Sequence, residues 1–279
     1  MERRTFIQTM GAAAAASLAP PMRLHAGAHL ERVGLELYSV RHEMMKDPDK
    51  TLAAVRAAGY NDVELLWSFQ NFGRSTDQVI AALKQNGLRA PSAHMSPEDI
   101  IIGWERRLEV AKQIGHQYLI VPSFSGETSQ TLDDWREWAD HFNTAGAAAR
   151  KAGIWLAFHN EPDHMKLIDG KVPYDVFVER LDPNAVRLQL DVGNMVMGGG
   201  DPMQYLARWK DRYWSFHLKD VVPDKLSDTD LGKGTFDFKK FLAAVPDLSQ
   251  KPCYVEQEGP ADELVAARNN YTFLHGLEF

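Results

Sequence analysis

From residue 33 onward, short β-rich runs alternate with amphipathic stretches. Apolar and β-branched residues gather in Val33–Tyr38, Asp62–Leu66, Arg89–His94, Tyr118–Val121, Ile154–His159, Val186–Asp191, Trp214–Leu218 and Tyr254–Glu256, and each run reads as a strand. Between them, Pro48–Ala58, Thr76–Asn86, Ile102–Ile114, Leu132–Ala152, Pro202–Trp209 and Phe238–Ala244 carry the spacing of helices. In 75–87, Val79, Ile80 and Leu83 share one face and Gly87 stops the pattern. Gly59, Gly87 and Gly153 each follow a predicted helix and precede a predicted strand, where a left-handed cap belongs. Eight strands separated by helices predict a single-domain α/β fold, a closed parallel (β/α)8 TIM barrel, with an open doubly wound sheet as the alternative.

These apolar runs end in charge. IWLAFHNE at 154–161 ends at His159 and Glu161, and LQLDVGNM at 188–195 puts Asp191 at its stop. YWSFHLKD at 213–220 carries His217 and Lys219, and CYVEQE at 253–258 carries Glu256 and Glu258. A parallel barrel builds its site at the carboxyl ends of its strands. A charge buried there must be paired or bound to a metal. Any one of these residues alone is a hydrogen-bonded strand end; four successive strands ending this way point to one shared site. Residues two apart share a face, so His159 with Glu161 and Glu256 with Glu258 can both turn inward. Carboxylates mixed with imidazoles suit a borderline divalent ion such as Mn, Co or Zn, and a catalytic ion keeps positions open for substrate.

Composition narrows the partners. The chain has 279 residues, 44% hydrophobic and 25% charged, an ordinary globular balance for one barrel. Its net charge of −7, without a run of Lys and Arg, argues against a nucleic-acid partner. The single cysteine, Cys253, excludes an intramolecular disulfide and reads as a small buried apolar residue. The N-terminus has the charged, apolar and small-residue order of an export signal: ERRTF at 2–6, Met10–Ala19, then Ala26-Gly27-Ala28. Arg3-Arg4-Thr5-Phe6-Ile7-Gln8 resembles the twin-arginine motif, from which Glu2 and Gln8 depart. The expectation is a signal over 1–28, a barrel over 29–279 and a periplasmic protein. The apolar stretch is shorter than the ~20 residues that span a bilayer, so no stable membrane association is expected after signal removal. The polar segment 221–238 reads as a loop over a site. Its GKG at 232–234 is not a phosphate loop, since no Ser or Thr follows and no strand leads into it.

LELYSVR at 35–41, AFHNE at 157–161, LQLDVGNM at 188–195, FHLKD at 216–220, LGKGTFDF at 231–238 and YVEQE at 254–258 together resemble the xylose-isomerase-like barrel superfamily. They are most similar to its branch of sugar phosphate isomerases/epimerases, many of which carry twin-arginine signals. The likeness covers nearly the whole chain after the signal and rests on the ordered set of motifs. It implies one divalent metal held by Asp191, His217, Glu256 and a fifth-strand residue. That branch usually reads His-Asn-His on the fifth strand, whereas this chain has His159-Asn160-Glu161. His159 stands where distant relatives have Glu, and Glu161 replaces the second His. Either completes the metal set, His159 being placed first, and the other is free to act on substrate.

Such a metal chelates two sugar oxygens and stabilises the enediolate formed when a proton leaves carbon beside a carbonyl. Glu161, Glu258 and His159 are candidate bases. Lys219 shares the inward face of His217 and is placed to polarise or protonate a carbonyl or leaving oxygen, a surface ion pair with Asp220 or Asp191 being the plain alternative. Glu36, Tyr38, Glu64, His94 and Asn194 are expected around the sugar. Trp67, Phe69, Phe72 and Trp104 lie in or after βα loops, as readable for core anchors as for sugar-stacking faces. The leading reading is an isomerase or epimerase of a small sugar, unphosphorylated because the export signal directs it out of the cytoplasm. A keto-sugar or 3-keto-glycoside lyase or hydratase uses the same chemistry. A non-catalytic sugar-binding barrel is the reading of another class, and it has no need of Asp191, His217 and Glu256 together. Phosphodiester hydrolysis, as in the related apurinic-site endonucleases, is disfavoured because 221–263 contains no histidine. Exposed loop aromatics allow a homodimer without requiring one.

Overall fold

A computed structural model describes residues 28–124, 126–225 and 227–279. Eight parallel strands close into a barrel: Gly34–Glu36, Asp62–Leu66, Arg89–His94, Tyr118–Val121, Trp155–His159, Val186–Asp191, Tyr213–Leu218 and Cys253–Val255. The eighth strand pairs with the first, which rules out the open doubly wound sheet. Register sets the site. Asp191 lies opposite His217, His217 opposite Tyr254, Glu36 opposite Glu64, and Leu66 opposite His94.

The helices follow the local chemistry. Asp47 accepts from the Lys50 N–H to start Pro48–Ala58, and Ser75 with Gln78 forms a capping box at Thr76–Asn86. Thr131 and Asp134 do the same for Leu132–Lys151. Gly59, Gly87 and Gly153 adopt positive φ at the expected helix ends. Helices Arg41–Lys46, Pro173–Arg180, Val192–Met197 and Glu263–His275 add to those anticipated. Among the described residues, no helix is long and apolar enough to cross a membrane. The export signal expected over 1–28 falls, except for Ala28, outside the described residues.

The segment after the seventh strand is more ordered than a simple loop. Asp220–Val221 pairs antiparallel with Asp228–Thr229. The Asp220 carboxylate accepts the backbone N–H groups of Val221, Gly232, Gly234 and Phe236. The glycine turn thus wraps a carboxylate of its own chain, and a Cβ on Gly234 would fall 2.2 Å from Asp220 Oδ1. Its N–H groups have no role left for phosphate.

Candidate active site

Asp191 ends the sixth strand and caps helix Val192–Met197. Its Oδ1 accepts the Asn194 N–H at 2.7 Å. Oδ2 is buried without a hydrogen bond. Around it, His159, His217 and Glu256 each offer a donor atom, and the four ligand atoms lie within 4.8 Å of one another. His159 Nε2 is 4.0 Å from Asp191 Oδ2, and His217 Nδ1 is 2.7 Å from Glu256 Oε2. Two imidazoles and two carboxylates, one of them with a buried oxygen that has no hydrogen bond, fit a borderline divalent ion.

The surroundings hold these atoms. His217 is fully buried, with Nε2 2.5 Å from Glu64 Oε2. Burial alone would lower its pKa, but Glu256 and Glu64 carry it up to about 10. Burial works against the charge of Glu64 and Glu256 too; His94 and His217 hold Glu64 well below the carboxylate range, and Lys219 and His217 do so for Glu256. Burial pushes Asp191 up to about 7 against the pull of Lys219, and pushes His159 well below its ordinary value.

Lys219 is completely buried. Its Nζ lies 2.5 Å from Glu258 Oε1, 2.8 Å from Asn194 Oδ1, 3.1 Å from Asp191 Oδ2 and 3.3 Å from Glu256 Oε2. Burial works against its charge, but the carboxylates of Asp191, Glu256, Glu258 and Glu161 hold its pKa well above the ordinary value. It therefore makes a buried multi-carboxylate pair, whereas Asp220 is engaged by the glycine turn. Gly193 makes the space: a Cβ there would lie 2.6 Å from Lys219 Cγ.

Above the cluster opens a cavity of about 370 Å³ lined by Tyr38, Phe69, His94, Glu161, Glu256 and Glu258, among others. Tyr38 and His94 thus stand where a sugar would lie. Glu36, Glu64 and Asn194 were expected there too, and the structure places them elsewhere. Glu36 and Glu64 are fully buried below the cavity floor: Glu36 accepts the Tyr38 N–H, and Glu64 is taken up by His217, Ser92 and Gln189. Asn194 bridges Lys219 and Glu161. Of the loop aromatics, Phe69 packs edge-on against Tyr38 at the cavity wall. Trp104 is a core anchor donating to Ala145 O, and Trp67 is buried. Glu161 is half-buried; burial raises its pKa well above the carboxylate range, with Lys219 opposing.

Three supporting residues escaped the sequence reading. Gln189 touches Glu64, His94 and His159. Asn160 exchanges hydrogen bonds with the Asp191 backbone, clamping strands five and six. His164 Nδ1 accepts the Glu161 N–H at 3.0 Å, fixing the turn that aims Glu161. Gln189 alone had a signal, since it lies two residues before Asp191 on the same face.

The family model described as xylose isomerase-like TIM barrel matches residues 52–275. An inosose dehydratase of Clostridium perfringens is 26% identical over 148 residues, which cover 52% of this chain and 49% of that protein. The chain thus spans about half the length of this curated relative. A sugar phosphate isomerase/epimerase structure from Parabacteroides distasonis superposes with a TM-score of 0.77 at 23% identity, covering 88% of this chain and 98% of the other. The IolI protein with a bound zinc atom superposes with a TM-score of 0.68 at 14% identity, covering 86% and 95%.

Proposed function

Because the chain belongs to the xylose isomerase-like TIM barrel family, we propose that it is a divalent-metal-dependent isomerase or epimerase of an unphosphorylated keto sugar or cyclic polyol. One observation carries this reading. Asp191 Oδ2, which has no hydrogen bond and only the Lys219 ammonium as an ion-pair partner, stands in a cluster with His159, His217 and Glu256, and Glu256 lines a cavity that carries two further carboxylates, Glu161 and Glu258. When bound by these four residues, the ion would supply Lewis-acid stabilisation of the negative charge that develops as a proton leaves carbon beside a carbonyl.

Glu161 and Glu258 would move that proton. They come from strand ends five and eight, separated around the barrel by strands six and seven, so they flank the cluster. The pKa of Glu161, raised by burial, suits a group that both takes and returns a proton. Lys219, salt-bridged to Glu258, holds that carboxylate in place. Tyr38 and Phe69 give the cavity an apolar wall for a sugar face. No Lys or Arg is among the described residues lining the cavity, which favours a substrate without phosphate. The export signal read in the sequence agrees with an extracytoplasmic sugar.

Dehydration is the second reading, favoured by the inosose dehydratase relative. The same α-proton leaves to one carboxylate, and the hydroxyl on the next carbon departs as water with a proton from the other. The test is to load the protein with Mn, Co or Zn, quantify bound metal, and incubate it with keto sugars and inososes in D2O. Isomerisation or epimerisation gives deuterium exchange without mass loss; dehydration gives loss of water. Glu161→Gln is expected to keep the metal and lose ~10²–10⁴-fold in exchange. Asp191→Asn is expected to lose the metal. A wild type that takes up no divalent ion after reloading sinks the proposal.

A further inference from the structure

Gln189 is fully buried on the sixth strand, one turn of the pleat below Asp191. Its amide nitrogen lies 3.1 and 3.2 Å from the two oxygens of Glu64. An ionised carboxylate only accepts, so the nitrogen must face Glu64 and the amide oxygen must face away. That oxygen is 2.8 Å from His94 Nε2 and 3.0 Å from His159 Nδ1. An amide oxygen only accepts, so both ring nitrogens must carry hydrogen.

A second amide is compatible with that state on the other side of the ring. The Asn194 oxygen accepts from the Lys219 ammonium at 2.8 Å, which turns its nitrogen toward Glu161 Oε2 at 3.0 Å, Asn160 O at 3.3 Å and His159 Nε2 at 3.4 Å. Its two hydrogens have their nearest acceptors in Glu161 and Asn160, so His159 Nε2 faces a donor group and no acceptor. The carboxylate oxygens nearest that ring nitrogen, Glu161 Oε1 and Asp191 Oδ2, stand 3.9 and 4.0 Å away, beyond hydrogen-bond reach, so the hydrogen of the ring belongs on Nδ1.

We infer that Gln189 is a positioning residue that fixes His159 in the Nδ1–H tautomer and turns a bare Nε2 toward the Asp191, His217 and Glu256 cluster. The inference rests on the proposed ion site for its purpose, and it resolves the fifth strand. His159 supplies the donor atom, and Glu161 is left for substrate. Through Glu64, the same amide is joined to His217 Nε2, so one side chain links both imidazoles of the cluster.

The test begins with metal-free, ¹⁵N-histidine-labelled protein and a long-range ¹H–¹⁵N spectrum at neutral pH, with His159 assigned by its loss in His159→Asn. The expected result is a single Nδ1–H form in wild type. Gln189→Met should give a mixed or reversed tautomer and a 10–100-fold loss of Mn or Zn affinity by calorimetry. An Nε2–H His159 in wild type overturns the inference, as does a folded Gln189→Met with unchanged tautomer and affinity. If wild type shows the Nδ1–H form and Gln189→Met loses it, yet wild type binds no divalent ion, tautomer control by Gln189 is upheld and the functional reading alone falls.

Discussion

Lys219 brings its ammonium into a space where every close polar neighbour is an acceptor, and two of those acceptors, Asp191 Oδ2 and Glu256 Oε2, belong to the proposed ion site. A buried positive charge and a divalent ion would share the same carboxylates. Lys219→Met removes the internal cation shared by Asp191, Glu256 and Glu258 and leaves Glu256 with His217 alone. The metal-free variant is expected to lose ~3–5 kcal/mol of stability, as when one partner of a buried ion pair is deleted. Added Mn or Zn should then raise its Tm by more than it raises that of wild type, because the ion takes over the missing positive charge. Equal ion-induced shifts in the two proteins would show that Lys219 does not share the site. The sequence disclosed Lys219, Asp191, His217 and Glu256 because charges at the ends of apolar strands are conspicuous. It did not disclose Gln189 or Asn160, since a neutral amide on a strand resembles any polar residue until its partners are known. Nor could it tell how deep an inward side chain sits. Glu36 and Glu64 read as pocket residues, yet register places them side by side on a lower layer.

The elements themselves were legible where one periodicity ruled. Strands Asp62–Leu66, Arg89–His94, Tyr118–Val121 and Val186–Asp191 have the expected boundaries, as do helices Pro48–Ala58, Thr76–Asn86 and Phe238–Ala244. Glu263–His275 escaped because its buried face mixes polar with apolar groups. Asn270 bonds to Gln257 and to the Leu231 N–H, while Glu263 reaches across to helix Arg41–Lys46. Such a face blurs the 3.6-residue pattern. Glu263 accepts from His42 N, His42 Nδ1 and Glu43 N, and so caps from a distance a helix that has no side-chain cap of its own. It ties the last element of the barrel to the first loop. Glu263→Ala should cost ~0.5–2 kcal/mol, the range for losing a helix cap, and speed hydrogen exchange in 41–46. Glu263→Gln, which keeps one acceptor, should recover part of it. Urea unfolding with exchange mass spectrometry separates these outcomes. Unchanged protection in 41–46 would refute the tie.

Taken as a whole, the barrel segregates its chemistry between two rims. The carboxylate and histidine cluster sits at the carboxyl ends of the strands. The amino ends carry a cation–π ladder in which Arg187 lies between Trp155 and Trp214, with Arg150 on Trp155 and Lys251 over Trp214. His116, just before the fourth strand, belongs to the amino-end half. Its Nδ1 donates to Ala90 O, its Nε2 is buried without a partner, and burial pushes its pKa down to about 4. In the unfolded chain this imidazole titrates near 6.5. Between about pH 6.5 and 4 the unfolded state therefore holds the extra proton. The contribution of His116 is complete above that window and is lost as pH falls through it, by up to ~1.4 kcal/mol per pH unit. His164, also held near 4, acts in the same sense. The raised carboxyls Asp191, Glu161 and Glu36 oppose it, since a carboxyl that binds its proton more tightly in the folded state gains stability on acidification. The total slope therefore mixes the two rims, and only a difference isolates one. His116→Gln keeps a donor for Ala90 O and removes the titration. Urea unfolding of both proteins at pH 5, 6 and 7 should give a variant whose stability falls less on acidification than that of wild type. Parallel pH profiles would mean that His116 is protonated in the folded barrel, with its buried Nε2 paired after all.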